Sequence, residues 1–173
     1  SHGSGWDSFA EISRKNNIPF ALHVSGMDVS PEIAKIILGY NIPVIANCQF
    51  LQSLYREAYG LTAAVFYPSI FPEEYKCASI APDYITLINP VYPKGVEVFL
   101  EIAAMMPEEK FLCVECWGTS ADILSQISKY SNIEHWEYQS DIRKVYERTK
   151  ILLVPSLTEE AFGRVIVEAQ VNG

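Results

Sequence analysis

Positive charge is scarce in this chain: 13 lysines and arginines stand against 21 aspartates and glutamates in 173 residues, a formal net charge of -8. That balance argues against a partner held through nucleic-acid phosphates and against a polybasic membrane patch. Long apolar runs are missing too, and none approaches the roughly 20 residues that span a bilayer. Cysteine is sparse, with residues at 48, 77, 113 and 116. Cys113 and Cys116 have C-x-x-C spacing in "KFLCVECW", but that run reads as a strand, on which residues three apart point to opposite faces. No second pair of cysteines or histidines completes a zinc site. Buried, reduced cysteines of a cytosolic protein are therefore the expectation. The opening "SHGSG", residues 1–5, is not a signal peptide and reads as an expression scar.

What is present is globular: 49% hydrophobic and 20% charged residues, enough chain for one ordinary domain or two small ones. Apolar runs at "PFALHV", "PVIANC", "AAVFY", "YITLIN", "KFLCVEC" and "ILLVPS" are continuous rather than alternating. Strands of a parallel sheet covered on both faces have that character. Between them lie helical patterns. "KGVEVFLEIAAMMP" stops at Pro107. "TSADILSQISKY" opens on Thr119 with Asp122 three residues later, a capping-box pattern. "SDIRKVYERTK" offers Ser140 as a cap. The alternation predicts a doubly wound α/β fold with right-handed crossovers. "YPSIFPEEYKCASIAPD" carries three prolines and neither period, so it reads as a linker.

Two strand–turn–helix segments carry the chemistry. In "VPSLTEEAFGRVIVEAQVNG" a strand breaks at Pro155-Ser156, a loop holds Glu160, and a helix starts near Gly163 and carries Glu168. Ligands of open parallel sheets bind beyond the carboxyl ends of the strands. There a helix start suits a phosphate, and Gly163 lets the backbone come close to it. Two carboxylates repel phosphate but accept hydrogen bonds from adjacent hydroxyls of a ribose or hexose. Phosphate flanked by polyols outlines a nucleotide sugar. A solvated acidic helix start fits the same spacing. The second segment, "YITLINPVYPKG", brings Lys94-Gly95 to the same edge, where a lysine can meet a diphosphate; a surface lysine fits that position too. Trp136 and Tyr138 could line a base pocket or belong to the core.

Together these segments resemble the retaining glycosyltransferases of family four, hexosyltransferase-type enzymes of carbohydrate biosynthesis with the two-domain GT-B architecture. "PSLTEEAFGRVIVEA" fits the family's proline-serine, E-x7-E and phenylalanine-glycine pattern, and "LINPVYPKG" its lysine-glycine element. "VIANCQFLQSLYREAYG" resembles an Asn-Ser-x-Phe segment with Cys48 in the serine's place, and "IPFALHVSG" a strand ending in a histidine. The resemblance implies Rossmann-like parallel sheets, with both domains incomplete. Residues 6–66 would be the end of the N-terminal acceptor domain, 67–82 a linker, and 83–173 the first part of the donor domain. It implies catalytic roles for Glu160 and His23. It also implies donor binding by Lys94, Gly95, Glu160, Phe162, Gly163, Glu168 and Asn89. Lys94 and the backbone after Glu160 would hold the diphosphate, Glu160 the donor sugar, Glu168 the ribose and His23 the reacting side. Asn89 stands where the family carries an arginine, five residues before the lysine; Arg164 is another source of charge.

The activity so implied is transfer of a sugar, with retention, from a nucleotide sugar to the hydroxyl of a glycan, lipid or small-molecule acceptor. The enzyme would be cytoplasmic, with peripheral membrane attachment open to the full-length protein. No D-x-D motif occurs, so no metal and no cofactor are expected. The chain is expected to be a fragment, inactive alone and prone to self-association through uncovered sheet edges. Neutral Asn89 favours the alternative, a non-catalytic module that binds a nucleotide or nucleotide sugar. A flavodoxin-like domain fits the alternation but leaves the glutamates and Lys94 without a role.

Overall fold

The structure, a computed structural model, describes residues 6–173; the expected scar, residues 1–5, lies outside the described residues. The chain divides into two compact units, one ending at Ser69 and the other running from Ile70 to Gly173.

The first unit follows the order α1 (Trp6–Asn16), β1 (Leu22–Val24), α2 (Pro31–Tyr40), β2 (Val44–Ala46), α3 (Gln49–Tyr59) and β3 (Ala63–Val65). Its strands form a parallel sheet in the order β1-β2-β3. Local chemistry sets the helix ends. Ser30 accepts from the Ile33 N–H at 3.3 Å and Pro31 occupies the first turn of α2, a position where its missing N–H costs nothing. The Cys48 sulfur takes the cap position of α3, accepting from the Leu51 N–H at 3.5 Å. Gly60 ends α3 in the left-handed region, φ 69°.

The second unit contains α4 (Pro72–Tyr75), β4 (Tyr84–Ile88), a 3-10 turn (Tyr92–Lys94), α5 (Val96–Met105), β5 (Phe111–Val114), α6 (Ala121–Ile127), β6 (Ile133–Trp136), α7 (Arg143–Arg148), β7 (Thr149–Leu152) and α8 (Arg164–Gln170). The sheet order is β6-β5-β4-β7, all parallel. Alternate residues of the central strands serve two cores, as the period of two requires. Ile85, Leu87, Phe111 and Cys113 pack with Phe99, Leu100, Ile123 and Ile127 of α5 and α6. Tyr84, Leu112 and Val114 pack with Val145 of α7. Coverage on both faces explains why β5 is apolar throughout and β4 nearly so, its buried Thr86 being hydrogen-bonded to the Thr149 hydroxyl at 3.0 Å. Phe99 and Phe111 meet edge to face, with centroids 5.4 Å apart.

Two local expectations need correction. Ser120, not Thr119, caps α6, accepting from the Ile123 N–H at 3.3 Å. Ser140 does not cap α7, which begins at Arg143; Asp141 accepts from the Arg143 N–H at 3.1 Å instead. The proline-rich stretch holds one helical turn, Pro72–Tyr75, opened by Pro72 and tied by the Lys76 N–H to the Pro72 carbonyl at 2.8 Å. Cys113 is buried and Cys116 exposed; burial pushes the Cys113 thiol up to about 12, which keeps it protonated.

Candidate functional site

The chain leaves β4 through Asn89 and β7 through Pro155, and the two loops come together beyond the sheet. The Leu157 N–H donates to the Pro93 carbonyl at 3.0 Å. Gly95, at φ 76°, lies so close to the second loop that a Cβ there would stand 2.1 Å from the Pro155 carbonyl oxygen. Only glycine fits, because the position needs both a positive φ and the space of a missing side chain. This contact places Lys94 against the loop that holds Glu160.

Lys94 Nζ lies 2.5 Å from Glu160 Oε1, and the Ser156 hydroxyl donates to the same oxygen at 2.6 Å. Both charged side chains are about a quarter exposed (29% and 26%). Burial alone pushes the Glu160 carboxyl up, but the hydrogen bonds from Lys94 and Ser156 prevail and hold it below the ordinary carboxylate range. Lys94, Ser156 and Glu160 share a cavity of about 210 Å³ with Asn89, Trp117 and Arg164. The rest of its wall is largely apolar, with Leu87, Ile88 and Leu153 among the contributors. A charged polar cluster on an apolar wall, at the carboxyl edge of a parallel sheet, has the form of a small-molecule site.

Glu168 is placed differently. It is 7% exposed on α8, accepting from the Tyr146 hydroxyl at 2.8 Å and from Arg164 Nε at 3.1 Å. Arg164 reaches on to the Tyr75 hydroxyl at 2.7 Å. Burial, then the bond to Glu168, pushes the Tyr146 phenol well up. The second glutamate thus braces α8 against α7, while the first faces the cavity.

Comparison with known proteins bears on this architecture. No protein-family model matches the chain, and no curated protein matches it. Solved structures do match. HepE from Anabaena, solved with UDP and glucose, is 19% identical over 96% of this chain and 54% of its own, with a TM-score of 0.76. A glycosyltransferase from Rickettsia africae is 17% identical over 96% of this chain and 59% of its own, with a TM-score of 0.67. TarM from S. aureus is 17% identical over 80% of this chain and 30% of its own, with a TM-score of 0.64. The fold is that of GT-B glycosyltransferases. The chain spans about half the length of the first two of these structures.

Within that fold the remaining residues are placed as follows. Asn89 is 5% exposed and its side-chain oxygen accepts from the Trp117 N–H at 3.2 Å. Gly163, at φ 70°, lines the cavity and starts α8, and Phe162 beside it is half-buried. At seven residues α8 is short, so charge at the cavity comes chiefly from side chains. His23 belongs to the first unit: it sits mid-strand in β1, exposed, and lines a cavity of about 270 Å³ with Ser25, Asp28 and Tyr55. Trp136 packs beside Leu112 and Val114 and donates its indole N–H to Glu134 at 2.6 Å; Tyr138 is exposed. Trp117 was not foreseen from sequence. Its place one loop residue past "LCVEC", at a strand's carboxyl end, was the available signal. Among the described residues no group of three or more His, Cys, Asp or Glu side chains could hold a metal ion. Nor is any described helix long and apolar enough to cross a membrane.

Proposed function

We propose that the cavity beyond β4 and β7 receives the diphosphate and sugar of a nucleotide sugar, and that the whole protein transfers the sugar to a hydroxyl acceptor with retention. The observation that carries this reading is the Lys94–Glu160–Ser156 cluster inside the cavity. Support for a nucleotide sugar comes from HepE, solved with UDP-glucose at a TM-score of 0.77 and 20% identity.

Lys94 has three N–H donors and needs only one for Glu160. An arriving diphosphate takes the others or displaces the carboxylate, whose charge Ser156 continues to satisfy. Glu160 then accepts from a sugar hydroxyl. In the transfer step a bond forms between the acceptor oxygen and the anomeric carbon, while the bond from that carbon to the phosphate oxygen breaks. The acceptor's proton passes to the leaving phosphate on the same face, which preserves the configuration. Lys94 stabilises the charge that develops on the leaving group. For Glu168 to reach the ribose, Arg164 must release Oε1 and turn toward the cavity it already lines, with Tyr146 still holding Oε2. His23 acts on the acceptor side in the complete protein. In the family reading residues 6–66 belong to the acceptor domain, 67–82 to a linker and 83–173 to the donor domain.

A second reading, a nucleotide-sugar-binding module without turnover, is favoured by the neutral Asn89, which lines the same cavity as Lys94. Calorimetric titration of the chain and its Lys94→Ala variant with nucleoside diphosphates tests the shared part. The variant should lose about 1.5–3 kcal/mol of binding, the scale of one charge-assisted hydrogen bond. An unchanged affinity removes Lys94 from the site. A transfer assay on the full-length protein then separates enzyme from module.

A further inference from the structure

We propose that Trp117 is the platform on which the nucleobase of the donor stacks, and that Asn89 positions it. This rests on the cavity being the donor site. Trp117 is among the residues that line the cavity, yet it is 61% exposed. A large aromatic left in water beside a concave site is the kind of surface that ligands use. Its backbone is held rather than free. The Trp117 N–H donates to Asn89 Oδ1 at 3.2 Å. Asn89 is itself anchored: its own N–H donates to the Val114 carbonyl and its carbonyl accepts from the Val91 N–H, each at 2.8 Å. Its φ of 65° is in the left-handed region, which asparagine tolerates better than most residues. Gly118, at φ 75°, turns the chain immediately after the tryptophan. The end of β4, strand β5 and the loop after β5 are thereby joined through one buried asparagine.

The nature of the ligand group follows from what Trp117 offers. The polar partners for sugar hydroxyls, Glu160 and Ser156, are gathered around Lys94. The loop contributes instead a flat indole, and every base has a flat face to lay against it. Asn89 thus brings no charge to the cavity and instead holds the loop that carries Trp117.

The test is titration calorimetry on the purified chain with inorganic diphosphate, with uridine, guanosine and adenosine diphosphates, and with a nucleotide sugar. Trp117→Ala should weaken the best-bound nucleoside diphosphate about tenfold or more, the scale of base–aromatic stacking. It should leave inorganic diphosphate unchanged, and Trp117→Phe should recover most of the loss. In a background with Trp6 and Trp136 replaced by Phe, Trp117 emission should be quenched by the nucleoside diphosphate. Asn89→Ala should reduce that quenching while inorganic-diphosphate affinity holds. If the wild-type chain binds nucleoside diphosphates and Trp117→Ala binds them equally well, this inference is overturned and the cavity reading stands. A loss confined to the nucleotide sugar, or an equal loss of inorganic diphosphate, also overturns it. No binding of any of these ligands by the wild-type chain overturns the cavity reading itself.

Discussion

The two sheets of this chain are both parallel, but they differ in what happens past their strands. Beyond the three-stranded sheet the ties run through single side chains. Asn47 donates from Nδ2 to the Ser25 carbonyl at 3.2 Å, and the Tyr55 hydroxyl donates to the Gly26 carbonyl. Beyond the four-stranded sheet, two loops meet backbone to backbone, at Pro93–Leu157 and at Gly95–Pro155. A side-chain tie holds a loop but leaves its own polar groups committed. Direct backbone contact fixes the loops and leaves Lys94, Ser156 and Glu160 to face a cavity. The second arrangement is the one that concentrates charge where a ligand can use it.

Two glycines break this comparison most sharply. Gly95→Ala introduces both a left-handed alanine and a Cβ 2.1 Å from a carbonyl oxygen, so the loops must part. We expect a loss of about 3 kcal/mol or more in stability, from strain plus lost contacts, together with loss of nucleoside-diphosphate binding. Gly60→Ala, at φ 69° with nothing within 4 Å of the added Cβ, should cost only about 1 kcal/mol. Urea denaturation of the two variants measures the difference; equal costs would mean that the Gly95–Pro155 contact does not constrain the loops.

Next in size is the brace on α8. Tyr146→Phe removes the phenol donor from buried Glu168 Oε2, which should cost about 1–3 kcal/mol of stability. Diphosphate affinity should hardly change, because the brace is separate from Lys94. A variant as stable as the parent would show that Glu168 is not held by Tyr146.

The smallest effect is on pH dependence. Glu160 is held below the ordinary carboxylate range in the folded chain, so the unfolded chain binds a proton there more readily. Its contribution is therefore full above the ordinary value near 4.5 and is lost as pH falls through the folded value. Glu160→Gln should flatten the acid limb of the stability curve below about pH 4.5, as followed by thermal melts. An unchanged limb would place the acid sensitivity in other carboxylates such as Glu134, which hydrogen bonds from Trp136 and Tyr84 also hold low.

Much of the fold could be read in advance, because strands buried on both faces write continuous apolar runs: β4 and β5 lie in "YITLIN" and "KFLCVEC". Edge strand β6 left no such run, since Glu134 and His135 face water. The turn at Pro72–Tyr75 is too short to show a helical period. The cap of α6 slipped by one residue because Thr119 and Ser120 are chemically near-equivalent, and only the backbone decides between them. At the site, Lys94 and Glu160 were visible as chemistry at strand ends. Their meeting was not, because it depends on Gly95 fitting against Pro155, sixty residues away in sequence. Trp117 and the Asn89 amide were hidden for the same reason. The different surroundings of Glu160 and Glu168, eight residues apart within one motif, follow from Glu160 lying in the loop before α8 and Glu168 on the buried face of the helix.

The central claim is that Glu160 reads the sugar while Lys94 reads the diphosphate. Calorimetry of Glu160→Gln with a nucleoside diphosphate and with the corresponding nucleotide sugar tests it most directly. The substitution frees Lys94 from its partner, so the nucleoside diphosphate should bind as well as before or more tightly. The nucleotide sugar should bind more weakly relative to it by about 1–3 kcal/mol, for the loss of a charged acceptor. Equal losses for the two ligands would contradict the assignment.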